Sequence, residues 1–415
     1  MPMPAKPLRE IPPTAGMPLD WRDLASTRAT SLHDAMAQFL GVADVQLTCS
    51  GTAALIIALT ALHRLNGRRS VIVPAYTCPL VALAVSYCGL QLRVCDVRPG
   101  RFDLDPAHLS ALCDADTLAV LPTHLAGRVA DVESARSRAH AVGALVIEDA
   151  AQALGARRGG RSVGVLGDIG FFSLAAGKGL TSYEGGVLIA ADATVQSALR
   201  ETAARIAPLR IARELQRMLQ LCGYWMLYRP QPLRLVYGWR LRRALRRDDP
   251  VAAVGDDFDA SSIPLHPLGT WRQSVAARAL PRLAAFQRLL SAHAGQRLPR
   301  LLALPGVHVL RDDDDALGVW PFYFLLLPTR AARDAALQRL WTSGLGVSRL
   351  FIHALPDYPY LSDTIRSASI AAEDVANARD LAARSLTVSN SPWLSEAQFA
   401  EVCAELAAAA ARYPA

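Results

Sequence analysis

The stretch that decides the fold is 145-LVIEDAAQALGARRGGRSVGVLGDIGFFSLAAGKGLTSYEGGVLIA-190. It holds three short apolar runs, at 145–149, 169–174 and 186–191, joined by glycine-rich connections. Continuous apolar runs of this length predict strands that are buried on both faces. The stretch also contains Lys178, one of only two lysines among 44 basic residues. We therefore expect a buried sheet with a single amine placed just after one of its strands.

The alternation of strands and helices continues on both sides of this stretch. Further strands are predicted at 70–74, 91–97, 117–122, 318–328 and 345–352. Helical periodicity or end signals occur at 31–42, 48–67, 79–89, 131–143, 275–306 (with a kink at Pro281), 330–344 and 395–413. The last of these begins with a capping-box pattern, Ser395 to Gln398. Strands alternating with helices predict an α/β fold with a mostly parallel central sheet.

Breaks in this rhythm divide the chain into four segments. Residues 1–30 are expected to form an N-terminal arm, and 31–200 a large α/β domain. Long helical patterns at 201–260 interrupt the alternation and predict a helical insertion. Residues 261–415 are expected to contain an interdomain helix and a smaller C-terminal α/β domain.

Composition excludes several classes of protein. The net charge is +7 and the pI about 9.2, which allows anionic ligands such as nucleotides. The arginines are spread along the chain, so we expect no nucleic-acid binding. The seven cysteines form no CxxC pair and no spacing with histidine that would hold a metal. They predict reduced thiols in a cytoplasmic protein without a metal site.

Three short motifs suggest chemistry, although each also has an ordinary structural explanation. Asp149 ends an apolar strand, where a carboxylate can serve a metal, a ribose hydroxyl, a ring nitrogen or a helix N-cap. Lys178 is either a surface loop residue or a buried amine whose pKa is lowered. The sequence 50-SGTA-53 is either an N-cap or a phosphate site at a helix start. Together they supply the three groups that pyridoxal phosphate requires.

In order and spacing the sequence resembles the DegT/StrS family of pyridoxal-phosphate-dependent sugar-nucleotide aminotransferases. The matching pieces are 50-SGTAAL-55, 74-PAYT-77, 121-LPTHLAGRVADVE-133, 148-EDAAQALGA-156, 167-GDIGFFSLAAGK-178 and 184-EGG-186. The clear likeness covers roughly residues 30–195. It implies a fold type I transferase, with a large domain around a mostly parallel sheet and a smaller C-terminal α/β domain.

The resemblance implies a role for each matching residue around pyridoxal 5'-phosphate. Lys178 would carry the cofactor covalently and move the proton during catalysis. Asp149 would pair with the pyridinium nitrogen, and Gln152 would lie near the phenolic oxygen. The phosphate would be bound by Thr52, Ala53 and Ser173. His124 would lie near the edge of the ring, or would be a structural histidine.

The implied activity is transfer of an amino group, with glutamate as the expected donor, to a keto-sugar attached to a nucleotide. Such a reaction serves amino-sugar, polysaccharide or glycoconjugate biosynthesis, and the family resemblance implies a homodimer. Two alternatives stay open. The chain could be a catalytically silent regulatory or interaction protein that keeps the fold, or an aminotransferase for a keto-cyclitol without a nucleotide.

The sequence departs from the family pattern at three positions. Cys78 stands where the family has an aromatic residue, with Tyr76 two residues before it. Thr270 stands where an asparagine usually reaches the phosphate of the partner subunit, although Arg272 keeps the arginine of that motif. His353 is displaced from the usual "PLH" element.

Residues 219–247 mix aromatic and apolar side chains with seven arginines. Such a mixture is found at membrane surfaces, so this segment would give the protein a peripheral membrane contact. The alternative is a subunit interface or a cover over the substrate with solvated arginines.

Overall fold

The computed structural model describes residues 8–25, 31–258, 263–362 and 374–415. Parts of the predicted arm, 1–7 and 26–30, and the end of the predicted insertion, 259–260, lie outside the described residues.

The first half of the chain alternates strands and helices as expected. The helices are α1 (Trp21–Ala25), α2 (Leu32–Leu40), α3 (Gly51–Asn66), α4 (Pro79–Tyr87), α5 (Pro106–Leu112) and α6 (Val132–Ala141). The strands are β1 (Gln46–Thr48), β2 (Ser70–Pro74), β3 (Gln91–Cys95), β4 (Thr117–Val120), β5 (Leu145–Asp149), β6 (Arg157–Arg158), β7 (Arg161–Ser162), β8 (Ile169–Ser173) and β9 (Gly186–Ala190). The strands predicted in this half are confirmed, with ends shortened by up to two residues; β1, β6 and β7 were not predicted.

Seven of the described strands form the central sheet, in the order β1-β9-β8-β5-β4-β2-β3. The pairs among β3, β2, β4, β5 and β8 are parallel, whereas β9 runs antiparallel to β8 and to β1. Strands β2, β4 and β9 are buried throughout, as their continuous apolar runs predict. The mostly parallel sheet is therefore confirmed, and the carboxyl ends of its central strands share one edge.

Helices dominate the middle of the chain. They are α7 (Ala193–Ile206), α8 (Ile211–Leu227), α9 (Pro230–Leu245), α10 (Pro250–Val254), α11 (Thr270–Ala279) and α12 (Leu283–Leu302). The single helix predicted over 275–306 is divided between α11 and α12. Leu280–Arg282, which includes Pro281, forms a 3-10 turn between them because proline cannot donate the backbone hydrogen bond.

The last part of the chain forms a separate, antiparallel sheet. The elements of this part of the chain are β10 (His308–Val309), β11 (Ala316–Leu317), β12 (Phe322–Leu326), α13 (Arg330–Leu340), β13 (Val347–Ser348), α14 (Ala376–Arg384), β14 (Ser385–Ser389) and α15 (Glu396–Arg412). Of these, β11 pairs with β6 and lies outside the sheet. The order in the sheet is β10-β12-β14-β13, and α13 packs against α15. The predicted capping box between Ser395 and Gln398 is confirmed.

Within the described residues, every helix is too short or too polar to span a bilayer.

Candidate active site

A cavity of about 700 Å³ opens at the carboxyl edge of the central sheet. Because parallel strands end at one edge, the residues that follow β4, β5 and β8 converge there. Among the lining residues are Thr52, Cys78, Asp149, Gln152, Ser173 and Lys178. Six of the eight residues singled out from the sequence thus line one cavity, although they lie up to 126 positions apart in the chain.

Lys178 lies on a tight turn after β8. Its N–H donates to the carbonyl oxygen of Ala175, 3.2 Å away, and Gly177 takes a positive φ of 80°. Burial lowers the pKa of Lys178, while the charge of Asp149 acts in the opposite direction. A lowered pKa increases the fraction of neutral amine, which is the nucleophilic form.

Asp149 is the last residue of β5 and is 5% exposed. Its Oδ1 accepts the N–H of Ala151 at 3.0 Å. Burial raises the pKa of Asp149, and this effect is opposed by the Ala151 hydrogen bond and by the charge of Lys178. A protonated ring nitrogen placed beside this carboxylate would stabilise its ionised form.

Gln152 is oriented by a single hydrogen bond. Its Oε1 accepts the N–H of Ala126 at 2.9 Å, and Ala126 is held at an unusual φ of 55°. Since the amide oxygen is used in this way, the NH₂ group of Gln152 is left as a donor on the cavity wall.

The start of α3 offers free donors for a phosphate, and two of the three predicted phosphate residues, Thr52 and Ser173, line the cavity. Ser50 Oγ caps the helix by accepting the N–H of Ala53 at 3.0 Å, and Ala53 does not line the cavity. The N–H groups of Gly51 and Thr52 donate to no other described residue. The N–H groups at this helix start that are free to bind a phosphate are therefore those of Gly51 and Thr52.

Ser173 ends β8 and faces the same helix start. A Cβ atom on Gly51 would lie 3.2 Å from the Cβ of Ser173, so the glycine permits the close approach of helix and strand. The hydroxyl of Ser173 and the two free amides consequently form one group of donors at the positive end of a helix dipole.

Cys78 lines the cavity, whereas Tyr76 does not take over the stacking role of the family's aromatic residue. The Tyr76 ring is fully buried and its hydroxyl lies 3.2 Å from Ser385 Oγ, away from the cavity. Burial raises the pKa of the Cys78 thiol to about 12, so the thiol stays protonated at neutral pH. Cys78 therefore presents a small, uncharged side chain to the cavity.

His124 lies behind the cavity and both of its ring nitrogens have protein partners. Nδ1 accepts the N–H of Ala130 at 3.0 Å, so Nε2 carries the hydrogen and donates to Glu148 Oε2 at 3.0 Å. His124 and Glu148 are both fully buried. Of the two roles left open by the sequence, these contacts favour the structural one.

The structure also locates Thr270 and His353, the other two departures from the family motif, and Arg272, which the motif keeps. Arg272 is fully buried and its Nε and Nη2 donate to the carboxylate of Glu214 at 2.7 and 2.6 Å. Thr270 is exposed at the first position of α11, and His353 lies outside the cavity. The arginine of the motif thus anchors α8 to α11.

Sequence reasoning missed the part of the wall that comes from distant segments. The predicted arm contributes Thr14, whose hydroxyl donates to the carbonyl oxygen of Gly177 at 3.1 Å. The inserted helices contribute Arg217, Tyr237 and Asp256. No local pattern marks these residues, because only the packing of the insertion brings them to the cavity.

Arg349 and Asp256 lie on the wall formed by the C-terminal part and the insertion. Burial lowers the pKa of Arg349 to about 10 and raises that of Asp256 to about 6. Asp256 Oδ2 accepts the hydroxyl of Tyr358 at 2.6 Å. This wall combines a cation with hydrogen-bond acceptors, and it suits a polar substrate.

The donor set fits pyridoxal 5'-phosphate. A helix start with two free amides and a hydroxyl suits a dianionic phosphate. A buried carboxylate, an amide NH₂ and an amine suit the ring nitrogen, the phenolic oxygen and the aldehyde carbon respectively. All of these groups line the same cavity.

Comparison with known proteins agrees with this geometry. Residues 18–215 match the model of the DegT/DnrJ/EryC1/StrS aminotransferase family. The GDP-perosamine synthase of Caulobacter vibrioides is 35% identical over 184 residues, which are 44% of this chain and 49% of the relative. The L-glutamine:2-deoxy-scyllo-inosose aminotransferase of Streptoalloteichus tenebrarius is 38% identical over 171 residues, 41% of this chain and 39% of the relative. The match thus spans half or less of the length of these relatives.

Solved structures extend the likeness over the whole fold. The structure of DesI in the presence of its TDP-sugar product superposes with a TM-score of 0.72 at 20% identity, covering 99% of this chain and 95% of that one. The fold class expected from the resemblance is thereby confirmed. Residues 18–215, which match the DegT/DnrJ/EryC1/StrS aminotransferase family model, contain most of the cavity wall.

Proposed function

We propose that the protein is a pyridoxal-phosphate-dependent aminotransferase that moves an amino group from glutamate to a keto-sugar linked to a nucleotide. The observation that carries this proposal is the convergence of Lys178, Asp149 and Gln152 with the free amides of Gly51 and Thr52 in one cavity. The family match of residues 18–215 supports it.

Each residue would act at a stated atom. The amides of Gly51 and Thr52 and the hydroxyl of Ser173 bind phosphate oxygens at the start of α3. Asp149 keeps the ring nitrogen protonated, and Gln152 donates its NH₂ to the phenolic oxygen. When bound, the cofactor supplies an electron sink for the carbon that loses its proton.

Lys178 performs the proton transfer. Burial favours the neutral form of its amine, which would accept a proton from the substrate carbon. The turn through Gly177, held by Thr14, keeps the amine at the end of β8.

The wall formed by Arg217, Tyr237, Asp256 and Arg349 supports a large, polar acceptor. Hydroxyl groups of a sugar can donate to the Asp256 carboxylate, and a diphosphate or a dicarboxylic donor can pair with an arginine. The same wall would accept a keto-cyclitol. Because one of the relatives is a cyclitol aminotransferase, a keto-cyclitol is the second candidate for the acceptor.

A substrate panel tests the proposal. In the first stage, glutamate is added to the purified protein with its cofactor, and the absorption band of the cofactor is followed. In the second stage, keto-sugar nucleotides or keto-cyclitols are added and the amino products are measured. We expect glutamate to shift the band and a keto-sugar nucleotide to restore it. A band that no amino donor shifts would instead support the catalytically silent alternative.

We further propose a homodimer, supported by the apolar face of α8. Ile211, Leu215 and Leu219 lie on one side of this helix and are exposed. The same helix is anchored by Glu214 to the start of α11 and presents Arg217 to the cavity, so a partner on α8 would lie next to the site. Light scattering of a Leu215→Glu, Leu219→Glu variant should show a monomer, whereas Leu302→Glu on α12 should leave the mass unchanged.

We also place the protein in the cytoplasm, in amino-sugar or polysaccharide biosynthesis. All seven cysteines are free thiols, and nucleotide-linked sugars are the building blocks of such polymers.

A further inference from the structure

One face of α9 presents apolar and basic side chains together to solvent. Nine of the 17 large hydrophobic residues that are exposed in the described part of the chain lie between Leu209 and Trp239. Apart from Gln231 and Asp248, the exposed side chains on α9 and the turn that ends it are those of Leu235, Val236, Trp239, Arg240, Arg243, Arg246 and Arg247. We call these seven residues the α9 face.

Helical geometry puts the seven residues on one side. At 3.6 residues per turn they share an arc of about 140° and span about 18 Å along the axis. The opposite side of the helix is buried through Leu233, Gly238 and Leu241. The apolar members come first along the helix and the arginines follow, so the face has an apolar part and a cationic part.

The cationic part is not neutralised within the protein. Among the described residues no carboxylate forms an ion pair with Arg240, Arg243, Arg246 or Arg247. Arg242, on the neighbouring side of α9, is different, since its Nη1 lies 2.7 Å from Glu10 Oε2. Asp248 and Asp249 follow in the chain, and Asp249 Oδ1 already accepts the N–H of Ala252 as the cap of α10.

Trp239 and Arg243 form a pair within the face. The guanidinium carbon of Arg243 lies 5.1 Å from the centroid of the Trp239 ring. Tryptophan beside arginine is favoured at the level of lipid headgroups, where the ring meets the apolar boundary and the cation meets phosphate.

We propose that the α9 face docks on an anionic lipid bilayer, with Leu235, Val236 and Trp239 at the acyl boundary and the four arginines among the headgroups. A second copy of this chain fits less well, because an isologous contact would bring eight unpaired arginines together. A nucleic acid would leave the apolar residues without a partner. The proposal is independent of the aminotransferase reaction.

Co-sedimentation of the full-length protein with vesicles tests the proposal. We expect binding to mixed phosphatidylcholine–phosphatidylserine vesicles, little binding to phosphatidylcholine alone, and weakening by salt. The triple variant Arg243→Gln, Arg246→Gln, Arg247→Gln should lower the partition coefficient by about 100-fold, since each basic residue near an anionic surface contributes about fivefold. Trp239→Ala should lower binding to neutral and charged vesicles alike.

A matched control removes the same charge elsewhere. Arg330→Gln, Arg339→Gln, Arg412→Gln changes three exposed arginines of the C-terminal part and should leave vesicle binding within about threefold of wild type. Unchanged thermal unfolding and circular dichroism establish that both triple variants are folded.

Four results would overturn the proposal. The first is equal binding of wild type to neutral and anionic vesicles, or to neither. The second is equal loss of binding in the two triple variants. The third is a change of solution mass in the α9 variant without a change in vesicle partition, which would assign the face to a protein contact. The fourth is tighter binding to a single-stranded oligonucleotide than to vesicles, which would assign the face to nucleic acid.

Discussion

Replacing Tyr228 by phenylalanine should loosen the N-terminal segment that borders the cavity. The Tyr228 hydroxyl, at the end of α8, accepts the N–H of Gly16 and donates to the carbonyl oxygen of Thr14, both at 3.0 Å. Thr14 in turn binds the carbonyl oxygen of Gly177, the residue before Lys178. One phenolic oxygen thus connects the insertion, the N-terminal segment and the lysine turn.

The magnitude follows from what the substitution leaves behind. Phenylalanine keeps the ring, which stacks on Tyr224 at 4.5 Å and meets Trp393 edge-on at 5.5 Å. The N–H of Gly16 loses one of its two acceptors, since it also donates to the carbonyl oxygen of Thr14 at 3.1 Å, and the bond from the Tyr228 hydroxyl to Thr14 is lost as well. Each lost bond costs about 0.5–1.5 kcal/mol. The segment around Gly16 should therefore open about 1–3 kcal/mol more easily, and its amides should exchange about 5 to 150 times faster.

Amide hydrogen exchange of the cofactor-free protein measures this effect directly. We expect faster exchange at residues 14–17 and in the turn 175–179, together with weaker retention of the cofactor on dialysis. Tyr87→Phe removes a hydroxyl from a half-exposed ring and serves as the control. Unchanged exchange at Gly16 in the Tyr228 variant would refute the reasoning, because it would mean that the hydroxyl does not hold the segment.

Three further outcomes are expected. Lys178→Arg keeps the positive charge but should abolish covalent trapping of the cofactor by borohydride and lower the aminotransfer rate by about 100-fold or more; trapping at wild-type levels would exclude Lys178 as the attachment site. Asp256 has a folded-state pKa of about 6, above its ordinary value of 3.8, so its ionisation lowers the stability of the fold as pH rises from about 4 through 6. Asp256→Asn should therefore raise the melting temperature relative to wild type at pH 8 and not at pH 4. An equal effect at both pH values would contradict this. Glu214→Ala leaves the fully buried Arg272 without a carboxylate and should lower the free energy of unfolding in urea by about 3–5 kcal/mol. A decrease below about 1 kcal/mol would show that the carbonyl oxygens around Arg272 are enough to stabilise its charge.

The structure adds detail to the start of α3 that the sequence did not show. The sequence SGTA identified the start of α3, because a serine N-cap and small residues are local signals. It did not show which amides stay free. That depends on the Ser50 side chain turning back to Ala53, which leaves Gly51 and Thr52 facing Ser173 across the edge of the sheet.

The sequence by itself determined the central sheet, the capped helices and the position of the key lysine and aspartate. These features are encoded locally, since apolar runs, capping residues and glycine turns act within a few residues of one another. The short strands β1 and β14 escaped prediction because pairing with a distant partner, and not their own composition, makes them strands.

Only the tertiary structure decided what the rest of the cavity is made of. Thr14, Arg217 and Asp256 reach it from the N-terminal segment and the insertion, and His124 is turned away from it by Glu148. Contacts between residues more than 150 positions apart, such as that of Thr14 with Gly177, depend on how whole elements pack, and no periodicity in the chain records that packing.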